Sequence, residues 1–219
     1  MDKIVDFPGL GLHFEFKNGF YIGNFFIAYY GVIIAIGTLL AMIYAFKKFK
    51  QVGVDPDKAI DPIIGGLIGG IVFARLYYVI FTFDSFKDDL WSIFNIRKGG
   101  MAIYGGIIGA LLVGIIVAKI RKIKILPLLD VAGIGFLIGQ GIGRWGNFVN
   151  VEAFGDNTTM PWGMISPSTT SYLQGKMEYF NSIGVSVDPN LPVHPCFLYE
   201  SIWCIAGFFI LSAYLKHRK

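Results

Sequence analysis

Charge is what this sequence has least of. Only 16% of its 219 residues are Asp, Glu, Lys or Arg, against about 25% in ordinary soluble domains, while 54% are hydrophobic. That balance excludes a disordered chain and argues against a soluble enzyme. Cysteine is nearly absent: Cys196 and Cys204 are the only two. Eight residues apart, they fit one apolar helix as free thiols, so neither a disulfide framework nor a metal site is expected. The opening Met1-Asp2-Lys3 lacks a positive segment followed by a short apolar stretch, so no cleaved signal peptide is expected either. We find no internal repeat. The formal net charge is +4. In so apolar a chain the excess reads as lysines that set membrane topology, and nucleic acid is not implied.

What is present is a set of long apolar runs. A bilayer core of about 30 Å needs roughly 20 apolar helical residues. Five runs qualify: Tyr21 to Phe46, Ala59 to Phe83, Met101 to Ala118, Ile125 to Gly143 and Phe197 to Leu215. The expected fold class is therefore an all-α polytopic membrane protein of about five transmembrane helices. The whole chain reads as a single integral-membrane domain. Residues 144–196 form an insertion in it, a small outward-facing cap of loops and short helices, since 157–195 is rich in Pro, Gly, Ser, Thr and Asn. Asp55-Pro56-Asp57 reads as the capped start of the second helix. Alternating Leu10, Leu12, Phe14 and Phe16, followed by Asn18-Gly19, reads as a short strand and turn before the first span. Glycines four apart, such as Gly65/Gly69, Gly66/Gly70, Gly105/Gly109 and Gly139/Gly143, suit close helix packing in lipid.

Lysines and arginines in the connections set the orientation. Alternate sides carry 7 and 11 of them, and the richer side, with the first and third loops and the tail, is expected to be cytoplasmic. The N-terminus, the second loop and the long fourth connection then face outward.

Polar residues inside or beside the spans fall on that outer side. Arg75 lies about 12 Å from the outer end of the second span, and Tyr30 lies at similar depth in the first. Tyr104 opens the third span. Gln140 and Arg144 end the fourth, with Asn147, Asn150 and Glu152 just beyond; His194, Tyr199 and Glu200 open the fifth. The inner half keeps only Asp61 and Asp130, near helix starts. A transporter needs polar groups along its whole path; polar groups gathered at one leaflet suit a lipid headgroup site better. Arginine matches a phosphate through its planar fork, and histidine, tyrosine and carboxylate supply acid–base capacity. Each residue also has a plainer role: Arg75 snorkelling to headgroups, the tyrosines in an aromatic belt, Glu200 as an arginine's partner, His194 supporting a turn before its proline.

One run stands apart, Gly143-Arg144-Trp145-Gly146-Asn147-Phe148-Val149-Asn150-Val151-Glu152-Ala153-Phe154-Gly155. It resembles the G-R-x-G-N-F-x-N-x-E-x-x-G signature of bacterial prolipoprotein diacylglyceryl transferases. Tyr29-Tyr30-Gly31, Ala74-Arg75-Leu76-Tyr77-Tyr78, Gly99 to Gly106 and His194-Pro195-Cys196-Phe197-Leu198-Tyr199-Glu200 are similar to further family segments, in the same order. The resemblance implies an enzyme of the bacterial cytoplasmic membrane with its site facing outward. Its substrates would be phosphatidylglycerol and prolipoprotein signal peptides bearing a lipobox cysteine. A thioether forms, glycerol phosphate leaves, and the chemistry needs no metal or redox cofactor.

The thiol must lose its proton to attack, and the leaving phosphate gathers charge that a cation stabilises. The resemblance makes Arg144 the phosphate contact, with Asn147, Asn150, Glu152 and Gly155 also substrate-binding. Arg75 is either a second anion contact or a partner of Glu152 or Glu200. Catalytic roles fall to His194, Tyr104 and Tyr30, with the base either His194 or Tyr104. Some members carry histidine where Tyr104 stands, and a tyrosine near pKa 10 is a poorer base at neutral pH. The family usually continues with two further spans bearing another arginine of the site, whereas this sequence stops after its fifth. A non-catalytic lipid- or signal-peptide-binding protein on the same scaffold is the alternative reading, and a small-solute transporter a weaker one.

Overall fold

A computed structural model of the chain describes residues 3–96 and 99–217. Met1 and Asp2 of the expected start, Arg97 and Lys98 of the second loop, and Arg218 and Lys219 of the tail lie outside the described residues. The elements run β1 (Lys3–Phe7), β2 (Leu12–Phe16), β3 (Gly19–Ile22), β4 (Phe25–Ala28), α1 (Tyr29–Phe49), α2 (Pro56–Phe81), α3 (Ile103–Ile120), α4 (Ile125–Asn150), α5 (Pro167–Ser182) and α6 (Cys196–His217). Among the described residues, five helices are long and apolar enough to cross a membrane, α1 to α4 and α6. The protein is a multi-pass, helical membrane protein.

Two expectations are corrected here. The first span begins at Tyr29, because Gly19–Ile22 and Phe25–Ala28 pair as an antiparallel hairpin. Gly23 turns it with a left-handed φ of 59°, a conformation that glycine adopts without steric cost. Gly19 must also be glycine: a Cβ there would lie 2.8 Å from the Phe26 ring and 2.9 Å from the Ala28 Cα. Tyr30 therefore sits in the first turn of α1 rather than deep in it. The fourth span, in turn, does not end at Gly143. Helix α4 continues to Asn150, so Arg144 lies more than a turn from its end, and Asn147 and Asn150 are helical. The strand expected near residues 10–16 is β2, paired with β1, which the sequence pattern did not reveal.

Contacts divide the chain into two compact units. Unit two, Ala45–Ala132, is built on α2 and α3. Asp55 caps α2 by accepting from the Asp57 backbone N–H at 3.1 Å, with Pro56 in the first turn. The α2 glycines then let α3 come within backbone contact: a Cβ at Gly66 would lie 3.2 Å from the Ala110 carbonyl, and one at Gly69 2.7 Å from that of Gly109. Without a hydrophobic drive between helices in lipid, such close packing is what holds them. Asp61 is paired with Arg121, which accounts for a carboxylate near the end of an apolar helix.

The other unit, Met1–Tyr44 with Gly133–Lys219, carries most of the candidate site residues. A Cβ at Gly37 of α1 would lie 2.9 Å from the Gly139 carbonyl of α4, and one at Gly141 of α4 2.9 Å from the Ile205 side chain of α6. Beyond the spans, β1, β2, α5 and the intervening loops enclose a core of Val5, Phe7, Val151, Met164, Leu173, Val193 and Phe197. Ser166 starts α5 with a reciprocal capping box to Thr169. Phe148, from the last turn of α4, packs against that core and stacks near Phe16 (5.3 Å) and Phe197 (5.1 Å). The helix that carries Arg144 is thus anchored at its far end.

Candidate active site

The polar residues of α4 and α6 form one hydrogen-bonded string. Arg144 is ion-paired through Nη2 with Glu200 Oε1, and its Nη1 donates to Asn147 Oδ1 at 3.3 Å. Gln140, one turn earlier on the same helix, donates to the same Glu200 oxygen at 2.5 Å. Asn147 donates to Glu152 Oε1 at 2.8 Å, and Asn150 donates to it at 3.2 Å. Helical spacing explains the order: residues 140, 144 and 147 share a face, and the chain after α4 folds Glu152 back onto that face. Val151 and Ala153 take left-handed φ values of 57° and 54°, and the Glu152 N–H returns to the Asn147 carbonyl at 2.9 Å.

Arg144 and Glu200 are each about one-third exposed, 28% and 36%. An ion pair so open to solvent contributes about 1 kcal/mol or less to stability; its effect is to aim the guanidinium. Of the five N–H donors of an arginine, two are engaged here among the described residues. The remainder are available to an anion.

A second group lies at the entry to α6. His194 Nδ1 is 2.9 Å from the Tyr199 hydroxyl, which also accepts from Trp162 Nε1 at 2.6 Å. The backbone of His194 is fixed on both sides: its carbonyl accepts from Gly155 and Cys196, each at 2.9 Å, and its N–H donates to Asp156 at 2.9 Å. Tyr199 and Glu200 are consecutive, so one turn of α6 carries both the histidine's partner and the arginine's. Gly155 is explained by close packing, since a Cβ would lie 2.8 Å from Cys196 Sγ and 3.2 Å from His194 Cβ. Gly146 is covered by the Tyr30 ring, whose Cδ2 would be 2.7 Å from an added Cβ.

Arg75 and Tyr104 belong to the other unit. The Arg75 guanidinium donates to backbone carbonyls throughout: Nε to Ile93 at 2.6 Å, Nη1 to Gly99 at 2.9 Å and Gly100 at 2.8 Å, Nη2 to Ser92 at 2.8 Å. It lies against the rings of Phe86 and Tyr78 at 5.2 and 5.8 Å. Among the described residues, Glu152 accepts from Asn147 and Asn150, and Glu200 accepts from Gln140 and Arg144. Tyr104, the second residue of α3, is 69% exposed, and its hydroxyl has no hydrogen-bond partner among the described residues.

Sequence reading passed over Trp162 and Ser201. Ser201 donates to the Gly141 carbonyl at 2.7 Å and accepts from Trp145 Nε1 at 3.2 Å, tying α6 to the arginine's helix. A hydroxyl next to Glu200 in an apolar helix was a usable signal; for Trp162, alone in a loop, there was none.

Fold and site together define a polytopic membrane protein with an arginine-centred polar cluster at the ends of two spans. The sequence profile of the prolipoprotein diacylglyceryl transferase family matches residues 17–219. The chain is 38% identical over 193 residues to the phosphatidylglycerol–prolipoprotein diacylglyceryl transferase of Clostridioides difficile (strain 630), covering 88% of this chain and 69% of that protein. It is 40% identical over 195 residues to the protein of the same name from Bacillus mycoides (strain KBAB4), covering 89% and 68%. The chain belongs to the prolipoprotein diacylglyceryl transferase family.

Proposed function

We propose that this protein transfers the diacylglyceryl group of phosphatidylglycerol to the lipobox cysteine of prolipoproteins, at the outer face of a bacterial cytoplasmic membrane. The N-terminus would lie outside and the C-terminus in the cytoplasm, in keeping with the charge bias of the loops. The thiolate sulfur forms a bond to the terminal glyceryl carbon, the bond from that carbon to the phosphodiester oxygen breaks, and glycerol phosphate leaves with the electron pair.

One observation carries this reading: Arg144 is aimed by Glu200 and Asn147 while most of its donors remain open. A guanidinium so held meets the charge that develops on the departing phosphate. Asn147, Asn150 and Glu152 form the polar wall beside it and would hold the headgroup hydroxyls. The thiol's proton passes to His194, whose ring is oriented by Tyr199. Tyr30 and Gly155 shape the site by packing on Gly146 and beside His194. Tyr104, with an unengaged hydroxyl, is the remaining candidate for proton transfer, and Arg75 holds a loop together.

The test is membranes containing this chain, phosphatidylglycerol and a lipobox peptide. A mass gain of one diacylglyceryl group on the peptide cysteine, absent with Arg144→Ala, is the expected result. Peptide and lipid that bind but never react would leave only a binding protein.

A further inference from the structure

The β3–β4 hairpin stands immediately before the first membrane helix, and its tip is apolar and uncovered. Ile22, Phe25 and Phe26 are all largely exposed, and Tyr21 is 70% exposed. Aromatic and aliphatic side chains on a tip joined directly to a span belong at the membrane–water boundary. Behind the tip lies a cleft of about 570 Å³ lined by Lys17, Asn18, Phe20, Tyr21, Phe26 and Tyr29. The Asn18 backbone carbonyl accepts from the Tyr29 N–H at 2.8 Å, which closes the hairpin onto α1 and fixes the cleft floor. Two of its groups lack partners. Among the described residues no carboxylate pairs with Lys17, and the buried Asn18 Oδ1 receives no hydrogen bond.

We propose that this cleft binds the headgroup of an anionic phospholipid, using residues that the Arg144 cluster does not. Lys17 would meet the phosphate; a basic side chain at a membrane surface is attracted to anionic lipid. The rings of Phe20 and Tyr29, 5.6 Å apart, and those of Tyr21 and Phe26, 5.1 Å apart, give the glycerol backbone and first methylenes an apolar wall. A hydroxylated phosphate ester could also come from solution as free glycerol phosphate, but the apolar wall and the membrane-facing tip favour the lipid. The proposal does not depend on the transferase reading.

The experiment uses the full chain in phosphatidylcholine vesicles doped with a phosphatidylglycerol that carries a photoactivatable group near the top of one acyl chain. Crosslinked peptides are mapped by mass spectrometry. Labelling of the peptide spanning residues 17–29 is expected. It should fall about fivefold in Lys17→Glu, the scale of one basic contact at a membrane surface, and persist in Lys17→Arg. Arg144→Ala should leave it unchanged while altering label on residues 140–152, so the two sites are read separately. Equal labelling by the matching phosphatidylcholine probe, indifference to Lys17→Glu, or displacement by soluble glycerol phosphate would each overturn the proposal.

Discussion

Arg75 and Arg144 are both arginines near the end of a membrane helix, and they are held in opposite ways. Four of the Arg75 donor contacts go to main-chain carbonyls at 2.6 to 2.9 Å, and the residue is 8% exposed. Among the described residues only one N–H of its fork is left unengaged, and a neutral ring of acceptors leaves its positive charge uncancelled. Arg144 is held by side chains at one corner, and one of them is a carboxylate. The first arrangement folds the loop between α2 and α3 around a cation. The second presents a cation while restraining it. Burial of an arginine marks structure; half-burial with a side-chain partner marks a surface that something else can complete.

The comparison can be broken by experiment, and the largest effect is expected at Arg144. Arg144→Ala should slow diacylglyceryl transfer by about 10²- to 10³-fold, the scale of losing a preorganised donor to transition-state charge. Because the Glu200 pair is open to solvent, thermal unfolding should move little. Arg75→Ala should show the reverse profile. Loss of its charge-assisted bonds to four carbonyls should cost about 3 kcal/mol of stability, read as a lower unfolding temperature and faster proteolysis at residues 83–96. Arg75→Lys should recover little, since an ammonium cannot span those carbonyls.

Gly146→Ala tests the frame behind Arg144. The added methyl meets the Tyr30 ring, and such overpacking costs about 1–3 kcal/mol in thermal unfolding; Tyr30→Ala in the same chain should recover part of it. The smallest effect is expected from Trp162→Phe. It removes the indole donor to Tyr199, which should cost about 1 kcal/mol of stability and slow transfer by about fivefold or less. A much larger loss would place Trp162 in contact with substrate.

The sequence made the Arg144 region legible because Arg144, Asn147, Asn150 and Glu152 stand in one run resembling a family signature, and because His194, Tyr199 and Glu200 lie within seven residues. It did not make the Arg75 clasp legible. Side chain to main-chain bonds leave no trace in residue identities, and a lone arginine in a span invites a search for a carboxylate. The boundary errors have separate causes. Tyr21 to Ala28 is apolar enough to join the first span, and length alone does not separate a strand pair from a helix; Gly23-Asn24 between aromatic runs was the unused hairpin signal. At the other end, Gly143, Gly146 and Asn147 look like helix breakers, yet packing of Tyr30 on Gly146 and of Phe148 into the cap core overrides their weak intrinsic preference.

The end of α4 has an electrical consequence. Aligned peptide dipoles leave partial negative charge at a helix C-terminus, and there the chain folds back a carboxylate, Glu152, under two asparagine amides. That pole repels anions. Six residues earlier, roughly 9 Å along the axis, Arg144 is offset by Glu200 but keeps unengaged N–H donors. A phosphate-bearing molecule approaching this helix is therefore turned away from its C-terminal pole and finds its donors at Arg144, by directed hydrogen bonds more than by net charge.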